Sequence, residues 1–185
     1  MATSCAFASS TSNTTADHRN PANTRVTNTE PVSPPLPPGR EVTLPGRGTM
    51  FFREVAGPPN APTLMLLHGW TATADLNFFT CYSALGEHFR VIAPDQRGHG
   101  RGIRSNKPFT LAACADDAAA LADHLGIATF IPVGYSMGGT VAQLMWKRHE
   151  SRVRALVLAA TSGYFVSTRQ ERLSFLGLHG LGALA

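Results

Sequence analysis

The chain has 185 residues, 43% hydrophobic and 15% charged, with a net charge of +4, and this length implies one domain with room for a tail. Its longest apolar run, Ala155–Ala160, falls far short of the ~18 residues of a membrane helix, and its Lys and Arg are scattered rather than striped among aromatics. No membrane span and no nucleic-acid partner are therefore expected. Three cysteines, Cys5, Cys81 and Cys114, lack metal-ligand spacing and fit buried thiols in a reducing, cytoplasmic setting better than a disulfide framework.

Residues 1–40 include 22 Ser, Thr, Asn or Pro, and such a segment buries too little apolar surface to offset its ordering entropy. A disordered tail is expected, ending in a stiff spacer at Pro34, Pro35, Pro37 and Pro38. No basic region followed by an apolar core starts at Met1, which argues against a secretory leader. From Glu41 the pattern predicts strands at 41–44, 50–55, 63–67, 90–94, 128–134 and 154–159. The first two read as a hairpin through Pro45-Gly46-Arg47-Gly48. Helices are predicted at about 75–88, 111–125 and 137–149, with Asp75 and Thr110 as N-caps and Gly126 as a terminator. Strand–helix alternation makes this an α/β chain, with a mostly parallel sheet covered by helices on both faces.

The sharpest motif is Gly134-Tyr135-Ser136-Met137-Gly138, between a predicted strand and a predicted helix. In that context G-x-S-x-G is a nucleophile elbow, a strained turn that exposes the Ser136 hydroxyl above the helix start. The glycines leave space where side chains would collide, and the Met137 N–H is aimed at the oxyanion of an acyl intermediate. A second motif, His68-Gly69-Trp70, follows the strand at 63–67, and Trp70 is expected to supply the second backbone donor. His68 is read as a histidine satisfied by backbone hydrogen bonds that fixes this loop, and not as the general base. A third motif, Asp95-Gln96-Arg97-Gly98-His99-Gly100, suggests a structural Asp95–Arg97 ion pair that shapes a tight turn. Asp116 and Asp117 read as a solvated helix face, and Met145 and Trp146 as packing. Neither a phosphate loop nor a nicotinamide fingerprint is present, so no cofactor and no metal are expected.

Taken together, HGW, DQRGHG and GYSMGG in this order resemble the α/β-hydrolase fold superfamily, over about residues 41–165. The Ser-Met-Gly-Gly ending with HGW is similar to small-ester esterases and to cofactor-free haloperoxidases or perhydrolases, often bacterial. The likeness implies Ser136 as nucleophile, Trp70 and Met137 as oxyanion donors, and a small-molecule acyl substrate. A serine at the elbow argues against the branches that use an aspartate there, and Arg101 stands where the family frequently has serine. The superfamily order is serine, acid, histidine, yet after Ser136 the only acids are Glu150 and Glu171 and the only histidines His149 and His179. His149 and Glu150 fall roughly 20 Å away along the elbow helix. Glu171 and His179 fall in 166–185, where the family begins its lid. The triad's acid and base are therefore expected beyond Ala185, the chain being the N-terminal part of an esterase-type hydrolase. The rival readings are a catalytically dead fragment or pseudoenzyme, and a perhydrolase with the same triad. Such a chain is also expected to leave the apolar strand 154–159 as an uncovered edge open to self-association.

Overall fold

In the computed structural model, which describes residues 35–163, eleven elements follow one another. They are β1 (Gly39–Leu44), β2 (Gly48–Val55), β3 (Thr63–Leu67), α1 (Ala74–Phe78), α2 (Tyr82–Gly86), β4 (Arg90–Pro94), α3 (Leu111–His124), β5 (Ile131–Tyr135), α4 (Met137–Arg148), a 3₁₀ turn (Glu150–Arg152) and β6 (Val157–Ala159). The strands form one sheet in the order β1-β2-β4-β3-β5-β6. β1 and β2 make the antiparallel hairpin, β2 pairs antiparallel with β4, and the other pairs are parallel.

Alternation along β3 explains why both faces need cover. Met65 and Leu67 pack with α3 and α4, whereas Leu64 and Leu66 pack with Ala74, Phe78 and Tyr82 of α1 and α2. All five residues of β3 are buried, each large side chain contributing about 1.5–3 kcal/mol. On α3, the inward face is Cys114, Ala115, Ala118, Leu121 and Ala122. Thr110 caps its first turn by accepting from the Ala113 N–H, and Gly126 turns the chain away at φ +66.

Four expectations are corrected. The helix at 75–88 is two short helices: the aromatic pair Phe78-Phe79 and β-branched Thr80 weaken its middle, and Cys81 restarts the chain at φ −110. Thr73 rather than Asp75 caps α1, accepting from the Leu76 N–H. Asp75 instead receives Arg53 in a two-pronged pair at 2.6 and 2.8 Å, and Arg101 at 2.8 Å. The last two strands are shorter than expected, Phe130 making only a single bridge to Val153. Trp146 is 51% exposed and so only half packed, although Met145 is fully buried.

β6 pairs with β5 on one side and with no strand on the other among the described residues. Val157 and Leu158 are about half exposed there. At the opposite end of the domain Pro37 accepts from the Arg53 guanidinium at 2.5 Å, and Pro38 from the Glu54 N–H. The expected 1–40 tail is thus too long, since Gly39 and Arg40 already pair with Arg53 and Phe52 in β1. Residues 1–34 and the 166–185 segment with Glu171 and His179 lie outside the described residues.

Candidate active site

Tyr135 closes β5 and Ser136 is the residue from which α4 springs. Ser136 sits at φ 52, ψ −119, a conformation that costs a non-glycine residue about 1–3 kcal/mol. Three hydrogen bonds hold it there. Its N–H donates to the Ala159 carbonyl at 3.0 Å, and its own carbonyl accepts from the Gly139 N–H at 2.9 Å and from Thr161 Oγ1 at 2.7 Å.

The glycines around it are spatial requirements. A Cβ on Gly134 would lie 2.3 Å from the Gly138 carbonyl oxygen, and one on Gly138 would lie 1.9 Å from that of Leu67. These contacts let β5, α4 and the end of β3 approach backbone to backbone, so the turn is tight because nothing larger fits.

That approach brings the second motif to the first. A Cβ on Gly69 would stand 3.4 Å from Ser136 Cβ, so the loop after β3 lies against the serine side chain. The loop is pinned by two residues through three hydrogen bonds. The Gly69 N–H donates to Asn77 Oδ1 at 2.8 Å, His68 Nε2 accepts from the Gln96 N–H at 2.8 Å, and the His68 carbonyl accepts from Gln96 Nε2 at 2.6 Å. His68 Nδ1 donates to the Gly69 carbonyl at 2.8 Å, which fixes the neutral tautomer. The ring is fully buried, and burial holds its pKa below the ordinary value. His68 is therefore backbone-satisfied, as its position after β3 implied.

Trp70 lies at the rim, 39% exposed, its ring edge-on to His99 at 5.0 Å and to Phe109 at 5.3 Å. Tyr135, next to Ser136 in the chain, is 44% exposed, and a Cβ on Gly69 would stand 3.3 Å from its ring.

The third motif is structural, but its ion pair is not the expected one. Asp95 is fully buried and accepts from the Ala74 N–H at 2.9 Å, the Arg101 N–H at 2.9 Å and Arg101 Nε at 3.2 Å. Arg97 turns the other way and forms a two-pronged pair with Asp117, at 2.7 and 2.8 Å. Asp117, expected on a solvated face, is fully buried. Only Asp116 faces outward, held by Arg148 and His149. His149 is thereby occupied at the far end of α4. Among the described residues, no cluster of three or more His, Cys, Asp or Glu could hold a metal ion.

Asn77, Gln96 and Thr161 were missed in the sequence. Each acts through one hydrogen bond or two to a loop 8 to 28 residues away, and spacing carries no signal for that.

The family model for the alpha/beta hydrolase fold matches residues 62–180. The chain belongs to the α/β-hydrolase fold family. It is 32% identical over 126 residues to the bifunctional esterase/perhydrolase DCH of Acinetobacter calcoaceticus, covering 67% of this chain and 46% of that protein. It is 33% identical over 119 residues to a non-heme chloroperoxidase of Streptomyces lividans, covering 61% of this chain and 41% of that one. Among solved structures, a hydrolase from Pseudomonas aeruginosa superposes with a TM-score of 0.64 at 28% identity, over 74% of this chain and 51% of that one. The chain thus spans about half the length of these relatives or less.

Proposed function

We propose that the protein is a serine hydrolase of the esterase type, with Ser136 as its nucleophile. The observation that carries this reading is the strained backbone of Ser136 between β5 and α4, braced by three hydrogen bonds and abutted by the Gly69 loop. Strain held by its surroundings at a strand–helix turn is the form in which this fold presents a reactive hydroxyl.

Ser136 Oγ attacks the carbonyl carbon of a small ester and passes its proton to a histidine. The carbonyl oxygen becomes an oxyanion, received by the backbone N–H groups of Trp70 and Met137. Collapse expels the alcohol, which takes the proton from the histidine. Water then attacks the acyl-serine, releasing the carboxylic acid and restoring Ser136. The histidine and its acid come from outside residues 35–163 in this reading, because the family order places both after the serine, and His149, the one described histidine there, is held by Asp116 at the far end of α4. No cofactor takes part. Location in the cytoplasm and pairing of β6 with a second chain are further parts of this reading, the latter supported by the half-exposed Val157 and Leu158.

Likeness to the Acinetobacter esterase/perhydrolase favours one variant of the second half-reaction. Hydrogen peroxide in place of water would attack the acyl-serine and leave as a peracid.

The test is Ser136→Ala in the full-length gene product. Loss of fluorophosphonate labelling and of p-nitrophenyl acetate turnover is expected. Labelling that persists undiminished in the alanine variant overturns the assignment. A wild-type protein that neither labels nor turns over establishes the pseudoenzyme instead.

A further inference from the structure

Away from Ser136, a cleft of about 450 Å³ opens between the β1–β2 turn, the 105–110 loop and the start of α3. Arg47, Arg97, Lys107, Ser105 and Thr110 line it. The geometry points to a binding site for a phosphate group, either free phosphate or a phosphomonoester.

Arg97 binds Asp117 through Nε and Nη2, and Arg47 reaches the same carboxylate through Nη1 at 2.9 Å. Two guanidinium groups therefore share one buried carboxylate, leaving an excess positive charge on side chains only 11% and 33% exposed. Lys107 adds a further cation to the lining. A partly desolvated excess of one sign attracts a counter-charge far more strongly than scattered surface lysines do.

The donors suit a tetrahedral oxyanion. A guanidinium carries five N–H donors, of which Arg97 gives two and Arg47 one to Asp117. Phosphate, with several acceptor oxygens and close to two charges, matches a convergent pair of guanidinium forks better than a carboxylate does. Ser105 and Thr110 bring hydroxyls, and the amino end of the 14-residue α3 adds its partial positive charge. One carboxylate, Asp116, stands on the wall, but Arg148 holds both its oxygens at 2.7–2.8 Å and His149 adds a third contact.

The 105–110 loop has a second face. Its Phe109 ring meets Trp70 and His99 at the rim of the serine site, while Lys107 and Thr110 line the cleft. An occupant of the cleft would brace the segment that carries Phe109.

The experiment is calorimetric titration of the protein at about pH 7.5, where a phosphomonoester carries close to two charges. Inorganic phosphate, phenyl phosphate and benzoate are compared at ionic strength matched with sodium chloride. Saturable binding of phosphate or phenyl phosphate is expected, weakened about tenfold or more by Lys107→Glu and by Arg47→Gln. The exposed Lys147→Glu on α4 should leave it unchanged. Equal affinity for the two phosphates marks free phosphate as sufficient, and tighter phenyl phosphate marks a phosphomonoester; both support the site. No saturation by either, benzoate binding as tightly as both, or Lys147→Glu weakening binding as much as Lys107→Glu overturns it.

Discussion

Gln96 grips His68 twice, by its backbone N–H on the ring nitrogen and by its side-chain amide on the carbonyl. Both residues are buried, and Gln96 Oε1 has no partner among the described residues. Gln96→Leu loses the bond to the carbonyl but also removes that orphaned oxygen. The two effects oppose, so its stability should fall within about 1 kcal/mol of the parent. Gln96→Glu instead sets an ionised acceptor against the His68 carbonyl, or has to be held protonated in the interior to donate to it, and should cost about 2–3 kcal/mol. Urea unfolding midpoints would show the order, and a glutamate variant as stable as the leucine one would refute the clamp.

Burial lowers the His68 pKa, outweighing the Gly69 carbonyl bond that raises it, while neighbouring His99 lowers it and Asp95 raises it. The unfolded chain takes up this proton near the ordinary 6.5, and the folded chain only at lower pH. The unfolded state thus binds more protons below that value, and stability falls as pH drops through it. Asp75 and Asp116, whose pKa values are lowered by Arg53 and Arg148 respectively, lose their contributions only below 3.8, outside this window. A lower urea midpoint at about pH 5.5 than at about pH 7.5 is expected. A His68 ring signal in NMR that titrates at the ordinary value would contradict it.

Asp116 and Asp117 adjoin in sequence and differ in consequence. Asp117→Ala strands Arg97, buried but for 11% of its side chain, and should cost about 3–5 kcal/mol. Asp116→Ala releases an exposed Arg148 and a half-buried His149 and should cost far less. Thermal denaturation of the pair of variants decides it, equal losses being the adverse outcome.

Two glycines separate shape from backbone freedom. Gly46→Ala meets nothing within 4 Å but keeps φ +69, a burden of about 1–2 kcal/mol. Gly138→Ala drives its Cβ into the Leu67 carbonyl at 1.9 Å, with the His68 carbonyl at 2.8 Å behind it. Neither obstacle is a flexible side chain, so a loss above about 3 kcal/mol or failure to fold is expected. A Gly138→Ala protein with near-parental melting would mean that α4 can move off β3.

Much of this was legible because it is local. β3 and β4 have the bounds that their apolar runs predicted, and α3 has its Thr110 cap and Gly126 stop. The strand–turn–helix context of Ser136 followed from the same periodicities. What escaped was partner choice. Arg97 lies beside Asp95 in sequence, but Asp95 is already filled by two backbone N–H groups and Arg101. Asp117 was misread although it is three residues after Cys114 and four before Leu121, on the buried face of α3. Helical spacing held that information, and the charge of the side chain obscured it.

The strand order has a kinetic corollary. β3 lies between β4 and β5, both of which follow it in the chain. It cannot be completed as it is synthesised and must wait for two later arrivals. The β3 loop bearing Gly69 and the turn bearing Ser136 become neighbours only when β5 docks, a pairing of distant segments that is slow by nature. No partly folded chain without that docking holds both halves of the site, so a reagent that senses the Gly69–Ser136 contact is at the same time a clock for folding.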